Sequence, residues 1–447
     1  MGRHETMIPI LSTQAMRDAD AIAVGDRGTD ALVRAAGTAV ALEAKRMLGS
    51  CYGKRVAVIV GPGLNGADGR VAATWLRRRG ARVSVVEVAS QPEGLGGEDL
   101  VIDAAFGLGC SRPYHAPSVR SDTLVLAVDL VSGVDADSGA VLGTPLRADV
   151  TLAIGALKPA HLNGPAAPLT GELRFAGIGI VGEARDGLVE DADLESFVRR
   201  DANDHKWHHA VTVLAGSTSM PGAAALVVRG ALAAGASMIR LSSRGDVAPL
   251  VDLPPEMVHA NEDVVDPRSR AVVAGPGLGR DAASWLAGRL DGVRVPVVLD
   301  ADGLERSLLE RVHRDGPWWI LTPHEGEFER LSGASSGDDR FDAVRRLARE
   351  TDCVVLLKGP TTVIADPTGA LRVVTSGTDA LASAGTGDVL SGVIGATVAR
   401  GHDPLSAAAL GAHLHGRAGA RLGVYEGASR IPSNVVSILS SSGRRGA

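Results

Sequence analysis

Strand-like apolar runs alternate with helical patterns along almost the whole chain, and this alternation constrains the fold more than any other feature. Parallel strands need long crossovers, usually helices, so the pattern reads as parallel α/β architecture. The first set of strands is RVAVIV (55–60), RVSVVEV (82–88), DLVIDA (99–104), TLVLAVDL (123–130) and DVTLAIGAL (149–157), closed by GELRFAGIGI (171–180). Residues 183–205 are charged and lack strand character, which puts a boundary near residue 200. A second set begins with AVTVLAGS (210–217) and continues through MIRLSS, AVVAGPGLG, PVVLDADG, WWILTPH and CVVLLKG. Helices are expected from near Thr386, Pro404 and Ile431. A chain of 447 residues exceeds what one core usually serves. Two α/β domains follow, over 1–200 and 201–447.

Composition removes several function classes. A net charge of -6 gives no reason to expect nucleic acid. No stretch approaches the roughly 18–20 apolar residues of a membrane span, and the N-terminus lacks a secretory pattern. Gly2 and Thr6 match a myristoylation pattern too short to carry weight. Cys51, Cys110 and Cys353 contain no CxxC pair, which argues against a thiolate zinc site and suits a reducing cytoplasm. Small-molecule substrates and a homo-oligomer are the expected partners.

In the first half, Gly61, Gly63 and Gly66 form G-x-G-x-x-G between a strand and a helix, and Glu87 ends the next strand. This fits a Rossmann-like three-layer domain, although glycines at such turns often serve packing alone. Asp103 in VIDAAFGLG and Asp129 in VAVDLVSGVDADSG fall at adjacent strand ends. Such carboxylates converge on the crevice where open α/β sheets bind ligands. With Asn65 and carbonyl oxygens they could hold a small hard cation. Asp137 reads instead as a turn or helix cap.

The second half carries SAGTGDVLSG (383–392), a Gly-rich turn opening a helix. Backbone N–H groups of Gly385–Asp388 would face an anion, and Asp388 would sit beside an attacking hydroxyl as a proton acceptor. KGPTT (358–362), after a buried strand, suits nucleotide phosphates or a plain solvated loop. LTPHEGEFERL puts His324 at a helix start, where it either binds substrate or is structural. AGPGLG (274–279) and Asp300 and Asp302 of VVLDADGL supply further strand-end groups.

The ordered segments GPGLNGADG, VIDAAFGLG, AVDLVSGVDADSG, ADVTLAIGALKP and GELRFAGIGI resemble the NAD(P)H-hydrate epimerases of the YjeF N-terminal family over roughly residues 8–182. That resemblance implies K+ on Asn65, Asp103 and Ser132. It implies hydrated nicotinamide nucleotide against Leu64, Asn65, Gly66, Ala67, Asp68, Gly107 and Asp129, with Asp129 the candidate acid–base. The family typically reads GNNGGDG where this chain has Leu64 and Ala67, and Pro where it has Val131.

From His205 onward, LTPHEGE, LKG and AGTGDVLSG together resemble the ADP/ATP-dependent NAD(P)H-hydrate dehydratases, a branch of the ribokinase-like superfamily. The resemblance implies nucleotide on Lys358, Gly359, Pro360, Thr361, Thr362 and Gly387. It implies hydrated cofactor on Ala223, Gly277, His324 and Asp388. For phosphoryl transfer from ADP, Mg2+ is expected to neutralise the diphosphate. Fusion of two such domains is the arrangement of bacterial bifunctional repair enzymes, which generally use ADP. The alternative is a small-molecule kinase of the vitamin-precursor type, behind a non-catalytic nucleotide-binding N-terminal domain.

Overall fold

A computed structural model describes residues 7–442 apart from 181, 183, 198–204, 261–263 and 315. Gly2, Thr6 and the boundary expected at residue 200 lie outside the described residues. Two compact units meet in sequence between Asp186 and Gly187. Among the described residues no helix is long and apolar enough to cross a membrane.

The first unit opens with helices α1 (Thr13–Arg27) and α2 (Thr29–Leu48). Ser12 Oγ accepts from Ala15 N at 3.3 Å to cap α1. Asp137 accepts from Thr13 N at 2.7 Å, the capping role expected of it. Then follow β1 (Arg55–Val60), α3 (Leu64–Arg77), β2 (Arg82–Glu87), β3 (Leu100–Ala104), β4 (Leu124–Val128), β5 (Val150–Ile154) and β6 (Glu172–Ala176). They form one parallel sheet in the order β2-β1-β3-β4-β5-β6. Ala57, Ile59 and Val101 face one core, Val56, Val58, Val60 and Ile102 the other, as period-2 strands buried on both sides require. Helices α2 and α3 supply the second of these cores.

The second unit starts at β7 (Asp186–Leu188) and continues with β8 (Ala210–Ser217), α4 (Pro221–Ala233), β9 (Met238–Arg244), β10 (Met257–His259), β11 (Ala271–Ala274), α5 (Ala282–Leu290) and β12 (Val297–Leu299). Next come α6 (Arg306–Arg311), β13 (Trp319–Leu321), α7 (Glu325–Ser332), α8 (Arg340–Thr351), β14 (Cys353–Leu357), β15 (Thr362–Ala365) and β16 (Leu371–Val374). Helices α9 (Thr386–Ala399), α10 (Pro404–Gly419) and α11 (Ile431–Ser442) complete it. The strands of this unit run β7-β16-β15-β14-β13-β12-β11-β8-β9-β10. They are parallel except where β15 pairs antiparallel with β14 and β16. Gly230 and Gly392 let α4 and α9 touch backbone to backbone: a Cβ on Gly392 would lie 2.1 Å from Val227 O.

The charged stretch 183–205 contains a strand after all. Leu188 pairs with Val373 in β7–β16, and Leu188 and Val189 are buried. Two apolar residues among acids suffice for a strand when a neighbour supplies the ladder.

Candidate active sites

In the first unit, a cavity of about 500 Å³ opens at the carboxyl ends of β1, β3 and β4. Leu64, Asn65, Asp68, Gly107 and Asp129 line it, together with Asp20 of α1. Gly66 and Ala67 do not line it. Gly61 and Gly66 serve packing: a Cβ on Gly61 would meet Ala105 O at 1.9 Å, and one on Gly66 would meet Gly61 O at 2.0 Å. Glu87 accepts both of its bonds from Arg70 Nη2, at 2.8 and 2.7 Å, so the dinucleotide reading of this fingerprint loses its ribose acid.

Asp129 holds a positive φ of 66° just beyond β4. Asp tolerates that conformation better than most residues, and three groups fix it. Lys158 Nζ, fully buried, is ion-paired with Oδ1 and also donates to Ile154 O and Ala156 O at 3.0 Å each. Ile154 N donates to Oδ1 at 3.0 Å, and His161 Nε2 lies 2.6 Å from Asp129 O. Burial pushes Asp68 up to about 8, with Asp129 and Asp20 adding repulsion. Burial pushes His161 down to about 4.

Asp103 and Ser132 meet beneath this cavity. Ser132 Oγ lies 2.6 Å from Asp103 Oδ1, and Ser132 N donates to Oδ2 at 3.0 Å. The amide nitrogen of Asn65 is buried without a partner. An unpartnered buried amide, turned to present its oxygen, is the kind of ligand a hard cation accepts. Oxygen groups of Asn65, Asp103 and Ser132 are of the chemical type that K+ takes.

In the second unit, Asp388 lies in the first turn of α9, whose N-cap Gly385 has φ 85°. The first N–H groups of that helix have no intrahelical acceptor. Thr386 Oγ1 donates to Leu381 O at 2.8 Å, fastening the turn. Lys358 Nζ, just past β14, donates to Asp300 Oδ1 at 2.9 Å and stands 3.6 Å from Glu327 Oε2. Thr322 Oγ1 also donates to Asp300 Oδ1, at 2.9 Å. Burial opposes the charge on Lys358, but Asp300 and Glu327 outweigh it and raise its pKa. Burial pushes Asp388 up to about 7; Asp300 and Asp302 add to the rise while Lys358 opposes it. A Cβ built on Gly387 would stand 3.5 Å from Lys358 Nζ and 3.7 Å from Asp300 Oδ2, which brings Gly387, Lys358 and Asp300 together.

His324 caps α7: its Nδ1 accepts from Gly326 N at 3.1 Å and Glu327 N at 3.4 Å. That acceptor role puts the ring proton on Nε2, which stands 3.5 Å from Glu327 Oε1. Ala223 and Gly277 touch, a Cβ on Gly277 coming 2.6 Å from Ala223 Cβ. In the KGPTT loop, Arg340 donates to Thr361 O at 2.9 Å and Lys358 O at 3.4 Å, and Thr362 Oγ1 donates to Gly359 O at 3.2 Å. Pro360 sits between them and is exposed. Sequence reasoning gave no role to Lys158, His161, Asp20, Glu327 or Arg340, although Lys158 stands in ADVTLAIGALKP, with His161 three residues on, and Glu327 ends LTPHEGE.

The family described as NAD(P)H-hydrate dehydratase matches residues 211–440, and that described as YjeF-related protein N-terminus matches residues 29–97 and 87–160. The bifunctional NAD(P)H-hydrate repair enzyme Nnr of Mycobacterium leprae (strain TN) is 36% identical over 468 residues, covering 96% of this chain and 97% of its own. This chain belongs to the bifunctional NAD(P)H-hydrate repair enzyme family. The family member of Escherichia coli (strain K12) is 32% identical over 412 residues, covering 81% of this chain and 79% of its own. The solved structure of the ADP/ATP-dependent NAD(P)H-hydrate dehydratase from Bacillus subtilis, co-crystallised with ATP/Mg2+, is similar over 58% of this chain and 98% of its own. It has 29% identity and a TM-score of 0.51. A ribokinase-like superfamily protein from Enterococcus faecalis V583 shares the fold at 20% identity and a TM-score of 0.52, over 58% of this chain and 96% of its own.

Proposed function

We propose that the chain repairs hydrated NADH and NADPH, interconverting their R and S hydrates in the first unit and dehydrating the S hydrate in the second with ADP. The observation that carries this reading is Asp388 in the first turn of α9, in the electrostatic field of the Lys358–Asp300 pair.

The hydrate bears its hydroxyl on the ring carbon next to nitrogen, and hydroxide leaves poorly. Asp388 accepts the hydroxyl proton as the oxygen attacks the terminal phosphoryl of ADP, breaking the bond to AMP. The N–H groups of α9 and Lys358 stabilise the charge on the transferred group. The ring nitrogen lone pair then expels phosphate, and loss of the neighbouring C–H proton restores the dihydronicotinamide. His324, at the start of α7, contacts the hydrate. Lys358, Gly359, Pro360, Thr361, Thr362 and Gly387 hold the nucleotide, and Ala223 and Gly277 bound the hydrate. Mg2+, when bound, neutralises the diphosphate.

In the first unit, Asp68 protonates the leaving hydroxyl, the ring nitrogen forms an iminium, and water adds to the other face while Asp129 accepts its proton. Asn65, Asp103 and Ser132 would hold K+, which would supply fixed positive charge. A cytoplasmic location agrees with three free cysteines. Self-association is testable by sedimentation.

The deciding experiment is incubation of mixed hydrate epimers with ADP, following cofactor absorbance to completion. Full recovery, with AMP and free phosphate as products, supports both activities. A stable phosphorylated organic product would establish the kinase reading instead, and Asp388→Ala retaining recovery would remove Asp388 from the mechanism.

A further inference from the structure

We infer that Asp20 is the proton relay of the N-terminal cavity, exchanging protons between solvent and the pair Asp68 and Asp129. The inference rests on the epimerase reading above. Epimerisation as written leaves Asp68 without its proton and Asp129 with one too many. Each turnover in one direction therefore requires a proton to return.

Neither member of the pair is free to deliver it. Asp129 is pinned by Lys158, by Ile154 N and, through its carbonyl, by His161. Asp68 is buried within α3. Asp20 comes from α1 and lines the same cavity. No hydrogen bond or ion pair holds it among the described residues, and it is half-buried, with access both to solvent and to the cavity it lines. Asp20, Asp68 and Asp129 are the only ionisable groups in the cavity wall among the described residues. Electrostatically the three are coupled: Lys158 and Asp129 act on Asp20, and Asp20 acts on Asp68. Burial, the largest influence on Asp20, raises its affinity for a proton toward neutrality. That is the direction a relay requires.

The test uses the full chain and purified R hydrate without ADP, following appearance of the S hydrate chromatographically. In dilute buffer Asp20→Asn is expected to lower kcat at least tenfold with KM unchanged. Formate or imidazole should restore the rate in proportion to concentration, and Asp20→Glu should keep most of it. ADP-dependent dehydration of the S hydrate by Asp20→Asn should stay within twofold of wild type. An Asp20→Asn rate within twofold of wild type, or a loss that small acids do not restore, overturns the relay. A wild-type chain that leaves the R hydrate unchanged would instead sink the epimerase reading, and the relay with it.

Discussion

Lys358 Nζ donates to Asp300 Oδ1 at 2.9 Å, and beside this pair burial pushes Asp388 up to about 7, with Asp300 adding to the rise and Lys358 opposing it. The carboxylate form is the base. Dehydration should therefore rise with pH, fall about tenfold per pH unit well below 7, and level off above it. Asp300→Asn removes one of the raising charges, so the limb should move to lower pH. It should move only partway, because burial is the larger cause. A kcat profile against pH at saturating ADP checks both; a limb unmoved by Asp300→Asn would show that the two carboxylates do not interact.

Two neighbouring glycines of the same turn should respond oppositely to a methyl group. Gly385 has φ 85°, and a Cβ there would come 2.5 Å from Leu226 Cδ1, so Gly385→Ala should destabilise the unit by about 1–3 kcal/mol. Gly387 lies in helix, and its Cβ would make ordinary contacts at 3.5 Å or more. Gly387→Ala should leave the melting temperature unchanged while raising the KM for ADP several-fold, since the methyl occupies space beside Lys358. Calorimetry and steady-state kinetics on the two variants separate these outcomes.

The legibility of this turn contrasts with that of the groups around it. Asp388, Lys358 and Gly387 sit in short motifs whose chemistry is local, and the strands at 55–60 and 353–357 announce themselves as apolar runs. The β15–β16 hairpin, TTVIADPTGALRVV, was less visible because its strands are short and flank a turn in which Asp366 accepts from Ala370 N. Asp20 and Glu327 act on groups 109 and 31 positions away respectively, at Asp129 and Lys358, and no local pattern encodes such pairings. Tertiary packing alone brings them together. The same holds for the glycines at 61 and 66, whose spacing resembles a nucleotide fingerprint but whose absent Cβ atoms clear Ala105 O and Gly61 O.

Removing the buried cation of the first unit should be costly. Lys158 is fully buried against Asp129, so Lys158→Met leaves an uncompensated carboxylate, at a cost of roughly 3–5 kcal/mol. Adding Asp129→Asn should recover much of that loss without restoring epimerisation. Denaturant unfolding of the single and double variants measures the first effect and hydrate interconversion the second. A double variant no more stable than Lys158→Met would mean that the pair is not the source of the loss.

The departures from the family pattern at the start of α3 should not weigh equally. Leu64 is 58% exposed and lines the cavity, so its side chain presents an apolar surface where a polar nucleotide is expected. Ala67 is half-buried, does not line the cavity, and its N–H is already used by Gly63 O at 3.1 Å. Leu64→Asn should therefore raise kcat/KM for epimerisation several-fold, whereas Ala67→Gly should change it by less than twofold and cost about 1 kcal/mol of helix stability. Because Leu64 buries little, its replacement should move stability by no more than about 0.5 kcal/mol. Equal kinetic effects from the two substitutions would place the substrate along α3 rather than at its first residue.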